Sequence, residues 1–152
     1  MLKMKSKILI LSVGKIPAEY QLLFSHYYKM LSRNLSIHEI VIKAKLKADE
    51  AKIAEEKAIL SKIPENHHII LLDVLGKEVD TNQFAKIIDN SLKPICFIIG
   101  GAYGVSEKVK KRADLEISFS KLTFPHMLAR IILIEQIYRA KTLMEGHPYH
   151  KA

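Results

Sequence analysis

The residues best suited to chemistry stand at the boundaries of apolar runs. Gly100-Gly101-Ala102-Tyr103-Gly104 follows the aliphatic run Pro94–Ile99 without a break. Glycines there either let the backbone approach a bound molecule or simply make a tight turn, and the pattern leaves both open. A dinucleotide fingerprint needs glycines at relative positions one, three and six, and the third position here is Ala102. The chain also lacks a Walker-type phosphate loop, a nucleophile elbow and any paired-carboxylate arrangement for hydrolysis. Cys96, between Ile95 and Phe97, reads as core packing rather than as a nucleophile, which needs exposure and a positive neighbour. His147 and His150 are separated by Pro148, and no second ligand pair has zinc spacing, so no metal is expected. His67-His68 reads as a solvated turn before a strand.

A second set of polar groups lies in a segment that is otherwise apolar on nearly every side. His126, Arg130, Glu135, Gln136 and Arg139 are embedded among Met127, Leu128, Ile131, Ile132, Leu133, Ile134, Ile137 and Tyr138. Polar groups in such a helix are either paired or aimed at a site. A helix that is apolar all round must be buried all round. One face can meet a sheet, and the other needs a partner, most simply its own copy across a two-fold axis.

The elements that position these residues alternate along the chain. Short apolar runs predict strands over Lys7–Val13, Ile37–Ile42, His68–Leu72, Pro94–Ile99 and Leu115–Phe119. Between them, helical spacing predicts Ala18–Arg33, Asp49–Ile63, a helix after Asp80-Thr81 with Phe84, Ile87, Ile88 and Leu92 on one face, and Ser106–Ala113. A loop at Ser120–Phe124 leads to Pro125, which opens a long helix to about Met144. Gly146 closes that helix before the tail His147–Ala152. Such alternation predicts an α/β fold in one domain, a mostly parallel sheet with helices on both faces. Ligands bind such sheets at the carboxyl ends of the strands, which directs attention to Leu72-Asp73 and Ile99-Gly100-Gly101.

Composition narrows the class. The 152 residues are 49% hydrophobic, enough for a core without staples, and the one cysteine cannot form an internal bridge. The basic start Met1–Lys7 leads into too short an apolar stretch for a signal peptide. No apolar run approaches a membrane span, so a soluble, cytoplasmic protein is expected. Lys and Arg number 24 against 16 Asp and Glu, a net charge of +8 that suits either a polyanionic partner or a solubilising surface. Each half, split at Gly76, carries 12 basic and 8 acidic residues, so an RNA-binding surface would have to be assembled by folding.

Four blocks then stand together: Phe97–Gly104 (FIIGGAYG), Ser118–His126 (SFSKLTFPH), Glu135–Ala140 (EQIYRA) and Pro148–Lys151 (PYHK). In order and spacing they resemble the RlmH family, ribosomal large-subunit pseudouridine N3-methyltransferases of the SPOUT superfamily. Leu71-Leu72-Asp73 and Gly76-Lys77 extend the match, which elsewhere in the first two thirds is one of pattern. The resemblance implies a C-terminal trefoil knot, a homodimer, and S-adenosylmethionine bound bent within the knot. General rules of chain topology disfavour threading, so the knot rests on resemblance alone. Carried over by position, the donor pocket is Leu72, Gly100, Gly101, Gly104 and the loop Phe119, Ser120, Lys121, Leu122, Thr123 and Phe124.

The implied substrate is a pseudouridine of 23S rRNA in the assembled ribosome. Its N3 carries a proton that must leave, which calls for a base or for groups that stabilise the deprotonated ring. Tyr149, His150 and Arg139 are the candidates, with the tail reaching the partner subunit's pocket. The alternatives are a non-catalytic ribosome-binding factor, a flavodoxin-like nucleotide-binding domain, and a related SPOUT enzyme acting on tRNA.

Overall fold

The structure, a computed structural model, describes residues 4–42 and 45–151. Met1–Lys3 of the basic start and Ala152 of the tail lie outside them. Ten elements alternate: β1 (Ile8–Val13), α1 (Ala18–Leu31), β2 (Leu35–Ile40), α2 (Ala48–Lys62), β3 (His68–Glu78), α3 (Thr81–Asp89), β4 (Ile95–Ile99), α4 (Glu107–Arg112), β5 (Leu115–Ser118) and α5 (His126–Met144). The five strands form one sheet in the order β2-β1-β4-β3-β5, every pair parallel.

Burial on both faces explains why the central strands read as unbroken apolar runs. On β1 and β4, Ile8, Ile10, Ile95, Phe97 and Ile99 point into one core with Phe84, Ile88, Leu133, Ile134 and Ile137. The alternate residues Leu11, Val13, Cys96 and Ile98 point into the other with Ile59, Ile63 and Val109. The first layer is therefore α1, α3 and α5, and the second is α2 and α4. β1 and β4 are neighbours whose following helices leave to opposite faces, which opens a crevice at their carboxyl ends.

Local chemistry sets several boundaries. Asp80 and Gln83 form a reciprocal capping box at the start of α3, and Ser106 caps α4. Pro125 takes the N-cap position of α5, one residue ahead of its first turn. β2 lies two residues earlier than the expected Ile37–Ile42, because its one partner strand, β1, ends at the Val13–Ile40 pairing and leaves Val41 exposed. Leu92, expected on the α3 face, falls beyond the Asn90 C-cap and stands fully exposed.

Two expectations change more. β3 does not stop at Leu72. It pairs with Ile117 of β5 there, swings out over 73–76, and returns to pair with Ile117 again through Lys77. Gly76 makes that return possible: a Cβ on it would lie 2.8 Å from the backbone of Glu116 and Ile117. The second change concerns α5, whose apolar surface is taken up largely inside the protomer. α1 and α3 flank it over the sheet, and Leu128 is its one exposed residue. All-round apolarity therefore does not by itself call for a second copy.

Gly76→Ala should push β3 from β5 and lower stability by about 1–3 kcal/mol, measured by urea unfolding. An unchanged unfolding midpoint would show that the strands can part without penalty.

Candidate functional site

At the carboxyl ends of β3, β4 and β5 the structure opens a cavity of about 450 Å³, within the range of small-molecule sites. Each wall has a local cause. The excursion of β3 contributes Leu72, Asp73 and Val74, and the turn after β4 contributes Gly100–Val105. The turn is closed by a hydrogen bond from the Gly104 N–H to the Gly101 carbonyl at 3.0 Å, with Gly104 at φ +75°. Gly100 packs inside the turn, since a Cβ there would lie 2.7 Å from Val105. The loop after β5 contributes Phe119, Ser120, Leu122, Thr123 and Phe124, and α5 contributes His126 and Ala129. Ser118 Oγ donates to the Ser120 carbonyl at 2.7 Å, and Ser120 Oγ accepts from the Leu122 N–H at 3.0 Å, which gives the loop its bend. Phe119 also stacks edge-on to Phe84, anchoring the loop in the core.

Leu72, Gly100, Gly101, Gly104, Phe119, Ser120, Leu122, Thr123 and Phe124 thus share one cavity, while Lys121 is exposed outside its lining. Asp73 lies 3.6 Å from Lys110, whose pKa is raised chiefly by that charge. His126 is held below its ordinary value by burial and by Arg130, so its imidazole is neutral near pH 7. Two groups escaped sequence reasoning. Lys52 of α2 reaches the lining, and Glu55 stands against Gly101, 3.0 Å from where a Cβ would be. Nothing in a lysine- and glutamate-rich helix distinguishes them without the fold.

Arg130 fastens α5 to the crevice beside the cavity. Only 1% exposed, it donates to Glu39 Oε2 at 2.5 Å and to the Gly14 carbonyl at 2.8 Å. Glu39 Oε2 also accepts from the Ile16 N–H at 2.7 Å. Of the two options the sequence left open for this residue, it is paired.

Cys96 is fully buried, and burial pushes its thiol up to about 12, a packing residue. Among the described residues no group of three or more His, Cys, Asp or Glu could hold a metal, and no helix is long and apolar enough to cross a membrane.

Residues 4–150 match the family model described as "Predicted SPOUT methyltransferase". The ribosomal RNA large subunit methyltransferase H 1 of Clostridium perfringens (strain SM101 / Type A) is 41% identical, over 95% of this chain and 99% of that protein. The ribosomal RNA large subunit methyltransferase H of Clostridium botulinum (strain Alaska E43 / Type E3) is 40% identical over the same shares. The chain belongs to the RlmH family of SPOUT methyltransferases. A solved probable methylase family protein from Haemophilus influenzae Rd KW20 shares the fold, with a TM-score of 0.53 at 10% identity, covering 93% of this chain and 67% of that one.

In this methyltransferase the C-terminal tail lies far from the cavity of its own chain. His126 borders the cavity and Arg139 is 13 residues further along α5, about 20 Å at 1.5 Å per residue. There Arg139 donates to Glu135 at 2.6 and 3.0 Å, which raises its pKa, and its guanidinium lies 4.8 Å from the Tyr149 ring centroid. Tyr149 packs edge-on to Tyr138 and donates to Glu135 at 3.1 Å. Burial foremost raises the phenol's pKa, so it stays protonated. Arg139 also meets His150 Nδ1 at 2.9 Å. An arginine only donates, so Nδ1 must accept and the ring's proton sits on Nε2. That Nε2 is buried and has no partner among the described residues.

Glu39→Ala should cost about 2 kcal/mol, measured by chemical denaturation, because it leaves the Arg130 guanidinium buried without its carboxylate. Arg130→Met should cost less, since Glu39 is one-third exposed and can turn to solvent. Equal losses would mean that the two partners are equally dispensable.

Proposed function

We propose that this chain, as a homodimer, transfers a methyl group from S-adenosylmethionine to N3 of a pseudouridine in 23S rRNA of the assembled ribosome. The observation that carries this reading is the separation just described: a small-molecule cavity at one end of α5 and an unspent polar cluster at the other. Neither end suffices alone for a reaction between a small donor and an RNA base. Two copies related by a two-fold axis would set the tail of each beside the cavity of the other. Exposed apolar side chains support such pairing: Leu22 and Leu23 on α1 are 85% and 46% exposed, and Leu128 stands out from α5.

The cavity fits the donor on the character of its walls. Leu72, Ile99, Ile117, Leu122 and Phe124 offer apolar surface for a purine, and the glycine turn offers close backbone approach. The loop Phe119–Phe124, with Lys121 at its exposed bend, and the turn at Gly100, Gly101 and Gly104 would hold it. The trefoil knot belongs to the same proposal, because these segments are the ones the knot would thread. Bound there, the donor supplies a methyl group already activated on a sulfonium, so alignment is the main task of the protein.

At the acceptor, Arg139, Tyr149 and His150 divide the work. Arg139 balances Glu135 and fixes the tautomer of His150. The Nε2–H of His150, buried and unpartnered in the single chain, would become a donor to a uracil carbonyl once the tail shifts to uncover it, as negative charge grows on that carbonyl with loss of the N3 proton. Tyr149 holds the tail on α5. His150 in this tautomer stabilises the ring anion rather than taking the proton, and the N3 proton passes to solvent water. The charge of +8 per chain favours the phosphates of a preassembled ribosome surface, and cytoplasmic residence follows from that substrate.

Two measurements test the proposal. Methyl-labelled donor offered to unmethylated ribosomes and to free large-subunit RNA should label one pseudouridine in the former far more than in the latter; labelling of free RNA alone would reject the substrate. Gly100→Ala (cavity) and His150→Ala (tail) should each abolish transfer. Mixed with subunit exchange, they should recover about a quarter of parental activity, since half the dimers are mixed and each has one intact site. No recovery would mean that cavity and tail act within one chain.

A further inference from the structure

We propose that Lys52 and Glu55, on one face of α2, read the amino-acid end of the donor, Glu55 taking its ammonium and Lys52 its carboxylate. The inference rests on the donor reading above and extends it to a part of the molecule that no matched block covers.

The argument is one of unspent charge. The amino-acid end of a methyl donor of this class carries an ammonium and a carboxylate, which call for one unpaired carboxylate and one unpaired cation in the pocket. The charged groups in the cavity lining are Lys52, Asp73 and Lys110, with His126 neutral. Asp73, the one carboxylate among them, is already engaged by Lys110 at 3.6 Å. A second carboxylate, that of Glu55, stands beside the lining. Its Oε1 and Oε2 lie 3.0 and 3.2 Å from where a Cβ of Gly101 would be, and Gly101 itself lines the cavity. Glu55 stands just behind the lining, beside Val13 Cγ1, which is 3.0 Å from the same point, and the missing side chain of Gly101 leaves room for its carboxylate there.

Glu55 Oε2 is buried and accepts no hydrogen bond among the described residues. A buried carboxylate oxygen without a donor is costly in an empty protein and is relieved when a cation arrives. Burial alone raises the Glu55 pKa, as expected of a group awaiting its counter-charge. Its neighbour on α2, Glu56, is already near Lys108 at 3.9 Å and has no such vacancy. Residues at i and i+3 share a helix face, so Lys52 and Glu55 present opposite charges side by side, the complement of an α-amino acid. Lys52 is exposed and reaches the lining from the solvent side, which suits the outer carboxylate.

Calorimetric titration of the full chain with two ligands separates this role from a structural one. S-adenosylhomocysteine keeps the amino-acid end, and methylthioadenosine lacks it. E55Q should weaken S-adenosylhomocysteine by about tenfold or more and leave methylthioadenosine unchanged, the loss expected of a charge-assisted hydrogen bond. K52M should weaken only the first ligand, by about a few-fold, as befits an exposed ion pair. Equal weakening of both ligands by E55Q would overturn the inference, because Glu55 would then only shape the turn. No weakening of either would overturn it as well. Failure of the parent chain to bind either ligand would instead overturn the donor reading itself.

Thermal melting of the unliganded chain adds a readout independent of binding. The raised carboxyl pKa favours the folded state below its ordinary value of 4.5, and that advantage is lost as pH rises through the folded value. E55Q should therefore melt higher than the parent at pH 7 and equally below pH 4.5. A lower melting temperature at pH 7 would overturn the inference by showing that the carboxylate already has a partner.

Discussion

The Arg130 guanidinium, held by the Glu39 carboxylate and the Gly14 carbonyl, joins three parts of the chain that are distant in sequence: the first turn and a half of α5, the carboxyl end of β1, and the edge strand β2. Everything at the cavity end depends on where α5 begins, because His126 and Ala129 line the cavity and the loop before them forms its wall. An apolar residue at 130 would pack against the same elements without fixing the rotation of the helix. A charge that must find its carboxylate and a particular carbonyl does fix it, and burial makes a misplaced rotation expensive. Strength and specificity part company here. The pair adds little net stability over a well-packed apolar substitute, but it admits one arrangement of α5 over the sheet.

Much of the fold was legible because each central strand carries its own evidence. The alternate residues of β1 and β4 supply two cores, so the apolar runs could only be buried parallel strands. The return of β3 was hidden for the opposite reason. Asp73 and Gly76 are ordinary terminators, and only the backbone of β5, at Glu116 and Ile117, 40 and 41 residues after the glycine, makes it a closure point rather than an end. The burial of α5 was misapportioned for a similar cause. Periodicity shows that a helix is apolar on every side, but not that α1 and α3 of the same chain cover those sides.

The cavity divides along the same line. Its glycines and the Phe119–Phe124 loop were visible as local motifs with a shared place in a known family. Lys52, Glu55 and the Arg130–Glu39 pair were not, since their meaning lies in contacts across the fold. Glu55 looks like any solvated glutamate of a charged helix until its carboxylate is found beside the space that a side chain at Gly101, 46 residues on, would need. Gly101 has a double identity for this reason. Read locally it frees the backbone for a turn, and read in space it makes room for a side chain from another layer.

The two ends of α5 show why a rigid helix serves a reaction between partners of unequal size. A helix of 19 residues does not bend to bring Arg139 toward His126, so one chain holds the two chemical groups about 20 Å apart permanently. That distance is a handicap for a monomer and a specification for a pair. In the proposed dimer, a two-fold axis between antiparallel copies of this end-to-end arrangement would make two equivalent sites, each closed only with both chains present. The tautomer of His150 is set before any partner or RNA arrives, because Arg139, braced by Glu135 within the same helix, commits Nδ1. Each chain thus fixes the tautomer of His150 through its own residues alone.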